Sequence, residues 1–479
     1  MSLKKDLFTG VAYNAISKYS GIIVSLIVSA VLARLIVPED FGIIAVAMVI
    51  ITFFSVFSDL GIAPAIIQHK NLTKENLSDI FSFTVWLGLG ISFCFFLSSW
   101  AIASYYNIDK LIHICQILSV NLFFVTVNIV PNALLYKNKE FKFIAFRTFI
   151  IQFAGGIVSI IAAFNGAGLY ALLINPIFSS IALFIVNIVH YPQKMKFKFN
   201  SSSLRIIFSY SSYQFLFNLI NYFSRNLDKL LIGKYMGMIP LGYYEKSYRL
   251  MMLPLQNISY AITPVMHPIF SDFQNDLQKL SSSYIKVIRL LAFIGLPLSA
   301  LLWFTSREIV LIIFGDQWID SIPVFQILSL SVGIQIILST SGSIFQAANA
   351  TRLLFISGLI STILNVAGIL IGIFIFKTLI AVAWCITITY SINFIQCYIL
   401  MYRYTLRASF IGFIKQFISP AILSIIIFLI LAYVSQIVTV QNIFISGLIK
   451  ASIFTLIYGL YIQLTKEYDI YSKLKNKIK

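Results

Sequence analysis

Charge is scarce in this 479-residue chain: only 11% of residues are Asp, Glu, Lys or Arg, against roughly 25% in an ordinary soluble domain. Acidic residues are scarcest, 17 against 35 basic ones. There are four cysteines, Cys94, Cys115, Cys385 and Cys397, each in an apolar segment and none in CxxC spacing. That excludes a disulfide framework or a thiolate zinc site and predicts buried free thiols. No GxxxxGK[ST] loop, HExxH helix or GxSxG elbow occurs, so ATP bound by this chain is not its expected energy source and hydrolase chemistry has no seat. Nor is there a loop longer than about twenty residues in which a soluble domain could fit.

What fills the chain is apolar. Hydrophobic residues make up 59% and the mean hydropathy is +0.91. Runs of about 20 apolar residues, enough to cross ~30 Å of hydrocarbon, recur from end to end. Fourteen spans are predicted, near 9–36, 41–66, 79–104, 110–135, 142–165, 168–190, 204–234, 239–268, 282–305, 322–347, 351–375, 378–402, 408–434 and 441–465. The first, Thr9–Ile36, is too long for a signal-peptide core and lacks a small-residue cleavage site. With the amino terminus inside, only Arg34, Lys110, Lys234, Lys246, Arg249, Arg307 and Lys377 fall at outer ends, against roughly two dozen basic residues at inner ends. This predicts both termini in the cytoplasm. The net charge of +18 is then topological, with attraction to anionic lipid as a by-product and no nucleic-acid partner.

The chain also matches itself. Tyr13, Gly42, Ile62 and Pro64 align with Tyr213, Gly242, Ile262 and Pro264, each 200 residues on. Gln116–Ser119 repeats as Gln326–Ser329, now 210 on, so ten extra residues are expected around Arg307–Trp318. Six helices separate the copies, and an even number makes the repeat parallel. The expected architecture is all-α: a six-helix lobe over 1–200, a second over 201–405, a central cavity between them, and two further spans with a basic tail over 406–479.

One stretch stands apart. In Gln214–Tyr244, the residues Gln214, Asn218, Asn221, Tyr222, Arg225, Asp228 and Lys229 recur at spacings of three and four, which puts them on one helical face. The repeat sets Asn14, Lys18, Gly21, Ser25 and Ser29 opposite Gln214, Asn218, Asn221, Arg225 and Lys229. A charge facing lipid costs roughly 2.5–3.5 kcal/mol at mid-membrane, so both faces are expected to line the cavity. Arg225, Lys229 and Arg249, tempered by Asp228 and Glu245, suit an anionic headgroup, because guanidinium can donate two parallel hydrogen bonds. The competing reading is a salt-bridge cluster that only holds two helices together. Lys18 and Asp59 lie at matching depths, where an ion pair could break on binding, or could simply be structural. Pro64 and Pro264 are candidate hinges and equally candidate static kinks. Gly368-x-x-x-Gly372 fits close helix packing, and His69, His190 and His267 fit interfacial packing.

Three motifs carry a resemblance: SRNLDKLLIGKYMGMIPLGYYEKSYRL; LARLIVPEDFGIIAVA with SDLGIAPAIIQ; and FGDQWIDSIPVFQILSL. They resemble the Wzx-type polysaccharide exporters of the multidrug/oligosaccharidyl-lipid/polysaccharide superfamily, nearest the colanic-acid and teichuronic-acid branch. The resemblance implies a flippase, not an enzyme, that moves undecaprenyl-pyrophosphate-linked oligosaccharide repeat units across the bacterial inner membrane by alternating access. Its partners would be that glycan, membrane lipids and polysaccharide polymerase machinery. No cofactor is implied beyond coupling to a proton or sodium gradient, for which Asp59, Asp228 and Glu245 are the candidates. Lys18, Asn218, Asn221, Arg225, Lys229 and Arg249 would line the substrate cavity. The rivals are a cation-coupled multidrug exporter, a lipid II flippase, and an integral-membrane polymerase or glycosyltransferase. An acidic drug cavity fits the basic stripe poorly, and a polymerase wants a larger outer loop.

Overall fold

A computed structural model describes residues 3–69, 71–197, 200, 204, 222–223, 225–274, 276–437 and 441–465, with the backbone alone at 3–18, 59, 260–261, 263–265 and 267–268. Every regular element among the described residues is helical. The chain divides into two compact units, Met1–Gly242 and Tyr243–Lys479. Ten helices among the described residues are long and apolar enough to cross a membrane, eleven if one pair bent by 45° is a single span. This is a multi-pass membrane protein. Of the fourteen predicted spans, 204–234 falls partly outside the described residues.

The first unit holds α1 (Leu3–Leu35), α2 (Pro38–Asp59), α3 (Ile62–Gln68), α4 (Lys74–Tyr106), α5 (Lys110–Val127), α6 (Ile129–Lys137), α7 (Phe141–Phe164), α8 (Ala171–His190) and α9 (225–235), and α10 (Met238–Ser271) begins in it. Local chemistry sets the boundaries. Pro38 opens α2, where a missing N–H costs nothing, and Glu39 and Asp40 favour the positive helix start. A capping box of Thr73 and Asn76 opens α4, and Asn107 in the left-handed region closes it. Leu60 (φ 38°) and Gly61 (φ 72°) are both left-handed and end α2. Helix α1 packs on α7, α4 on α5, and α3 on α6. Ile66, Ile80, Phe81, Val130 and Leu134 form one apolar centre of the unit.

The second unit continues with α11 (Leu277–Phe314), α12 (Ser321–Ser329), α13 (Val332–Leu338), α14 (Ser341–Ala347), α15 (Thr351–Leu370), α16 (Leu379–Ile399), α17 (Phe410–Lys415), α18 (Ile418–Ile437) and α19 (Ile443–Thr465). The predicted span 322–347 is thus three short helices, bent by 45° after α12, whereas 110–135 holds as one span, Lys110–Lys137, made of α5 and α6. Side-chain competition explains the first break: Ser329 and Ser331 donate back to the carbonyls of Gln326 (2.6 Å) and Leu328 (2.7 Å). The ten residues expected as an insertion near Arg307–Trp318 appear partly as helix, since α11 has 38 residues and α4 has 33. Leu423, Ile427 and Leu431 of α18 pack on Phe293 and Ala300 of α11. Gly368 and Gly372 do serve close packing: a β-carbon at Gly368 would come within 2.5 Å of Thr389, and at Gly372 within 2.8 Å of Val382. Of the four thiols, Cys115 and Cys397 are buried and Cys385 half-buried. Cys94 is exposed, beside Phe93 and Leu97 on an apolar outer face of α4, where an oily surface meets no water to penalise it.

One contact inside the first unit follows the duplication. A β-carbon on Gly42 would lie 1.9 Å from the Met238 carbonyl oxygen, and one on Gly242 would lie 2.1 Å from the Pro38 carbonyl oxygen. Pro38 and Met238, like Gly42 and Gly242, are 200 residues apart. Matching segments therefore meet reciprocally, each glycine against the backbone of the other copy, as in a two-fold contact.

Candidate functional site

Part of the predicted polar face can be placed. Gln214, Asn218 and Asn221 lie outside the described residues, as do the side chains of Lys18, Asp59 and Pro264. The proposed Lys18–Asp59 pair therefore lies outside them too. In α9, Arg225 is exposed, Lys229 half-buried and Asp228 buried, and the Asp228 carboxylate accepts from the backbone N–H of Lys229 at 2.8 Å. Two contacts pin this helix to the rest of the first unit, and a third holds Tyr222 just ahead of it. Tyr222 donates to the Val49 carbonyl at 2.8 Å, Tyr106 donates to the Leu230 carbonyl at 3.2 Å, and Lys234 sits 4.4 Å from the Tyr105 ring centre. On the opposite copy of the face, Ser29 is buried, and a β-carbon at Gly21 would lie 2.9 Å from Gln152 of α7.

Glu245, Lys246 and Arg249 belong to α10 in the second unit, whereas Arg225, Asp228 and Lys229 belong to the first. Lys246 is 2% exposed, with its ammonium 4.8 Å from the Phe314 ring and 5.4 Å from that of Trp318. Aromatic faces attract a desolvated cation, so the FGDQW motif encloses this lysine. Ser247 adds a hydrogen bond to the Ser321 carbonyl at 2.9 Å. Glu245 lies within electrostatic reach of both Lys246 and Arg249. Pro64 sits in the first turn of α3, and α10 runs unbroken through 264. The left-handed pair Leu60–Gly61 separates α2 from α3 just before Pro64.

Sequence reasoning passed over two buried charges. Glu308 of α11 is 5% exposed and accepts from Lys450 of α19 at 2.5 Å and from Ser446 at 2.7 Å. Lys450 is the only charged residue in α19, which was the available signal, because a lone intramembrane charge implies a partner or a task. Arg147 of α7, counted among the topological cations, is 8% exposed and donates to Asn132 of α6 at 2.8 Å.

Where the chain leaves α8, a cavity of about 830 Å³ is lined in part by Lys74, Ser78, Leu134, Asn138, Tyr191 and Lys196. Lys196 pairs with Asp79 at 3.1 Å and Glu75 at 3.5 Å, and its backbone N–H donates to Ser82 at 2.8 Å. The Asp79 hydrogen bond pushes the Lys196 ammonium above the ordinary lysine value. Glu140 accepts from Tyr191 and pairs with His190 at 2.7 Å. Burial and then the Glu140 hydrogen bond push the Tyr191 phenol up. The segment after α8 is thereby fastened to α4 and α7.

Residues 31–323 match a protein family described as polysaccharide biosynthesis protein. The chain is 24% identical over 440 residues to the teichuronic acid biosynthesis protein TuaB of Bacillus subtilis (strain 168), covering 89% of each. It is 26% identical over 376 residues to the lipopolysaccharide biosynthesis protein WzxC of Escherichia coli (strain K12), covering 78% of this chain and 76% of that relative. Its fold is similar to a solved structure of the lipid II flippase MurJ in an inward closed conformation, with a TM-score of 0.75 at 17% identity, covering 95% of this chain and 98% of that one.

Proposed function

Because the chain belongs to the polysaccharide biosynthesis protein family, we propose that it is a Wzx-type flippase, a transporter and not an enzyme. On this reading it moves undecaprenyl-pyrophosphate-linked oligosaccharide repeat units across the bacterial cytoplasmic membrane for surface polysaccharide assembly. The observation that carries the reading is the match to TuaB and WzxC over 89% and 76% of their lengths. The physics agrees. A polar glycan cannot cross ~30 Å of hydrocarbon unaided, while its polyprenyl tail is at home there.

The finer layout is part of the proposal: fourteen spans, lobes over 1–200 and 201–405 alternating access to a central cavity, two added spans over 406–479, and both termini in the cytoplasm. The reciprocal glycine contacts between matching positions support two lobes built from a duplication. Lys18, Asn218, Asn221, Arg225, Lys229 and Arg249 would hold the pyrophosphate or an acidic glycan. Asp59, Asp228 and Glu245 would couple movement to a proton or sodium gradient, and polymerase machinery would receive the product.

The test is a deletion strain. Lipid-linked repeat units should accumulate on the cytoplasmic face, and the wild-type gene should clear them. Arg225→Ala should reach the membrane in normal amount, because the side chain is exposed, yet flip about 10- to 100-fold more slowly, as expected for losing one charge-assisted interaction of ~1.5–3 kcal/mol. A strain with no stalled intermediate would overturn the assignment. Loss of Arg225→Ala from the membrane would place this residue in the scaffold.

A further inference from the structure

Arg147 stands outside the charged stretch read from the sequence, and its surroundings are unusual for a buried cation. It lies six residues into α7, about 9 Å along the helix at ~1.5 Å per residue. The Nη2 group donates to the Oδ1 atom of Asn132 at 2.8 Å, while Nε and Nη1 have no acceptor. The Phe143 ring centre lies 5.9 Å from Cζ. Among the described residues no carboxylate pairs with it, although Lys450 has Glu308 and Lys196 has Asp79.

Guanidinium stays protonated at any physiological pH, so folding leaves a desolvated positive charge with one neutral acceptor. A carboxylate at position 132 would neutralise it with almost no change in volume. The chain carries the amide instead, and that choice keeps the arginine uncompensated. We propose that Arg147 and Asn132 form an anion-binding site that takes phosphate oxygens of the transported headgroup, a deepening of the proposed function on which it rests. The unused N–H groups of Nη1, with the second of Nη2, form the edge that grips phosphate through parallel hydrogen bonds. Asn132, being neutral, does not repel an anion, and its amide N–H₂ adds a donor. Helix α6 has nine residues, set off from α5 at Asn128 and from α7 by left-handed Lys139. Asn132 sits on the 28-residue span Lys110–Lys137, so opening the site to an anion takes rotation of its side-chain amide.

Asn132→Asp separates this from a structural role. A structural arginine gains an ion pair, so the variant should be stable and should export normally. An anion site loses its vacancy: membrane levels hold, the melting temperature rises, and complementation of the deletion strain is lost. A second arm uses the purified full chain in detergent with inorganic pyrophosphate or undecaprenyl phosphate. Either probe should raise the wild-type melting temperature. The half-maximal concentration should rise at least about tenfold in Asn132→Asp and Arg147→Gln, the order expected for a lost charged hydrogen bond. Response to the polyprenyl phosphate alone makes the ligand lipid-borne, and response to pyrophosphate alone makes it a free anion; both support the site. No wild-type shift, an unchanged shift in both variants, or full export by Asn132→Asp overturns it. If the deletion strain stalls no intermediate, the flippase reading falls while the melting experiment still judges Arg147.

Discussion

Gly42→Ala and Gly242→Ala each destabilise the folded protein by about 3 kcal/mol, the upper end of the usual cost of overpacking, while Gly90→Ala is neutral or stabilising by up to ~1 kcal/mol. The contrast comes from what the new methyl group meets. At Gly42 and Gly242 it meets a carbonyl oxygen 1.9 and 2.1 Å away, and at Gly90 nothing lies within 4 Å. A side chain could rotate out of the way, but a helix backbone cannot, so the starts of α2 and α10 must separate. The double variant should cost less than the sum of the two, because one separation relieves both clashes. Unfolding of the purified protein in mixed detergent measures all four variants. Tolerance of Gly42→Ala at wild-type stability would sink the close backbone contact and, with it, the structural support for a duplicated two-lobe layout.

That glycine pair also marks what could be read in advance. Offsets of 200 picked out positions 42 and 242 from sequence alone, and the alignment found contact partners because each copy places its glycine at the same helix start. Boundaries came through where hydropathy is a local sum, as in α7 against the predicted 142–165. The breaks did not, because a serine bonding to its own helix barely changes the apolar total, as at Ser329 and Ser331. Helical spacing grouped Arg225 with Asp228 and Lys229 but could not say which of them is buried. For that the partner matters, and partners lie far off in sequence: Lys450 is 142 residues from Glu308. Lys246 was read only as a cation at an outer helix end, yet it also faces the rings of Phe314 and Trp318, 68 and 72 residues further along the chain.

The Glu308–Lys450 pair yields the other large effect. Glu308→Gln should destabilise the protein by about 3–5 kcal/mol, since removing one partner leaves an ammonium buried without its counter-charge. Lys450→Met should cost a similar amount through the stranded carboxylate, whose Oε2 already lacks a hydrogen-bond partner. The double variant, uncharged at both positions, should return to within ~1 kcal/mol of wild type, because removing both partners leaves no buried charge stranded. Ser446 and the Phe304 carbonyl, which Lys450 also contacts at 2.8 Å, then find each other or neighbouring backbone. Export measured alongside decides what the pair is for. The pair joins α19 to α11, and α19 lies outside the duplicated part of the sequence, so the expected role is attachment, and export should recover together with stability. A double variant that is stable but cannot export would make Glu308 a titrating group of the transport cycle, in place of or beside Asp59, Asp228 and Glu245.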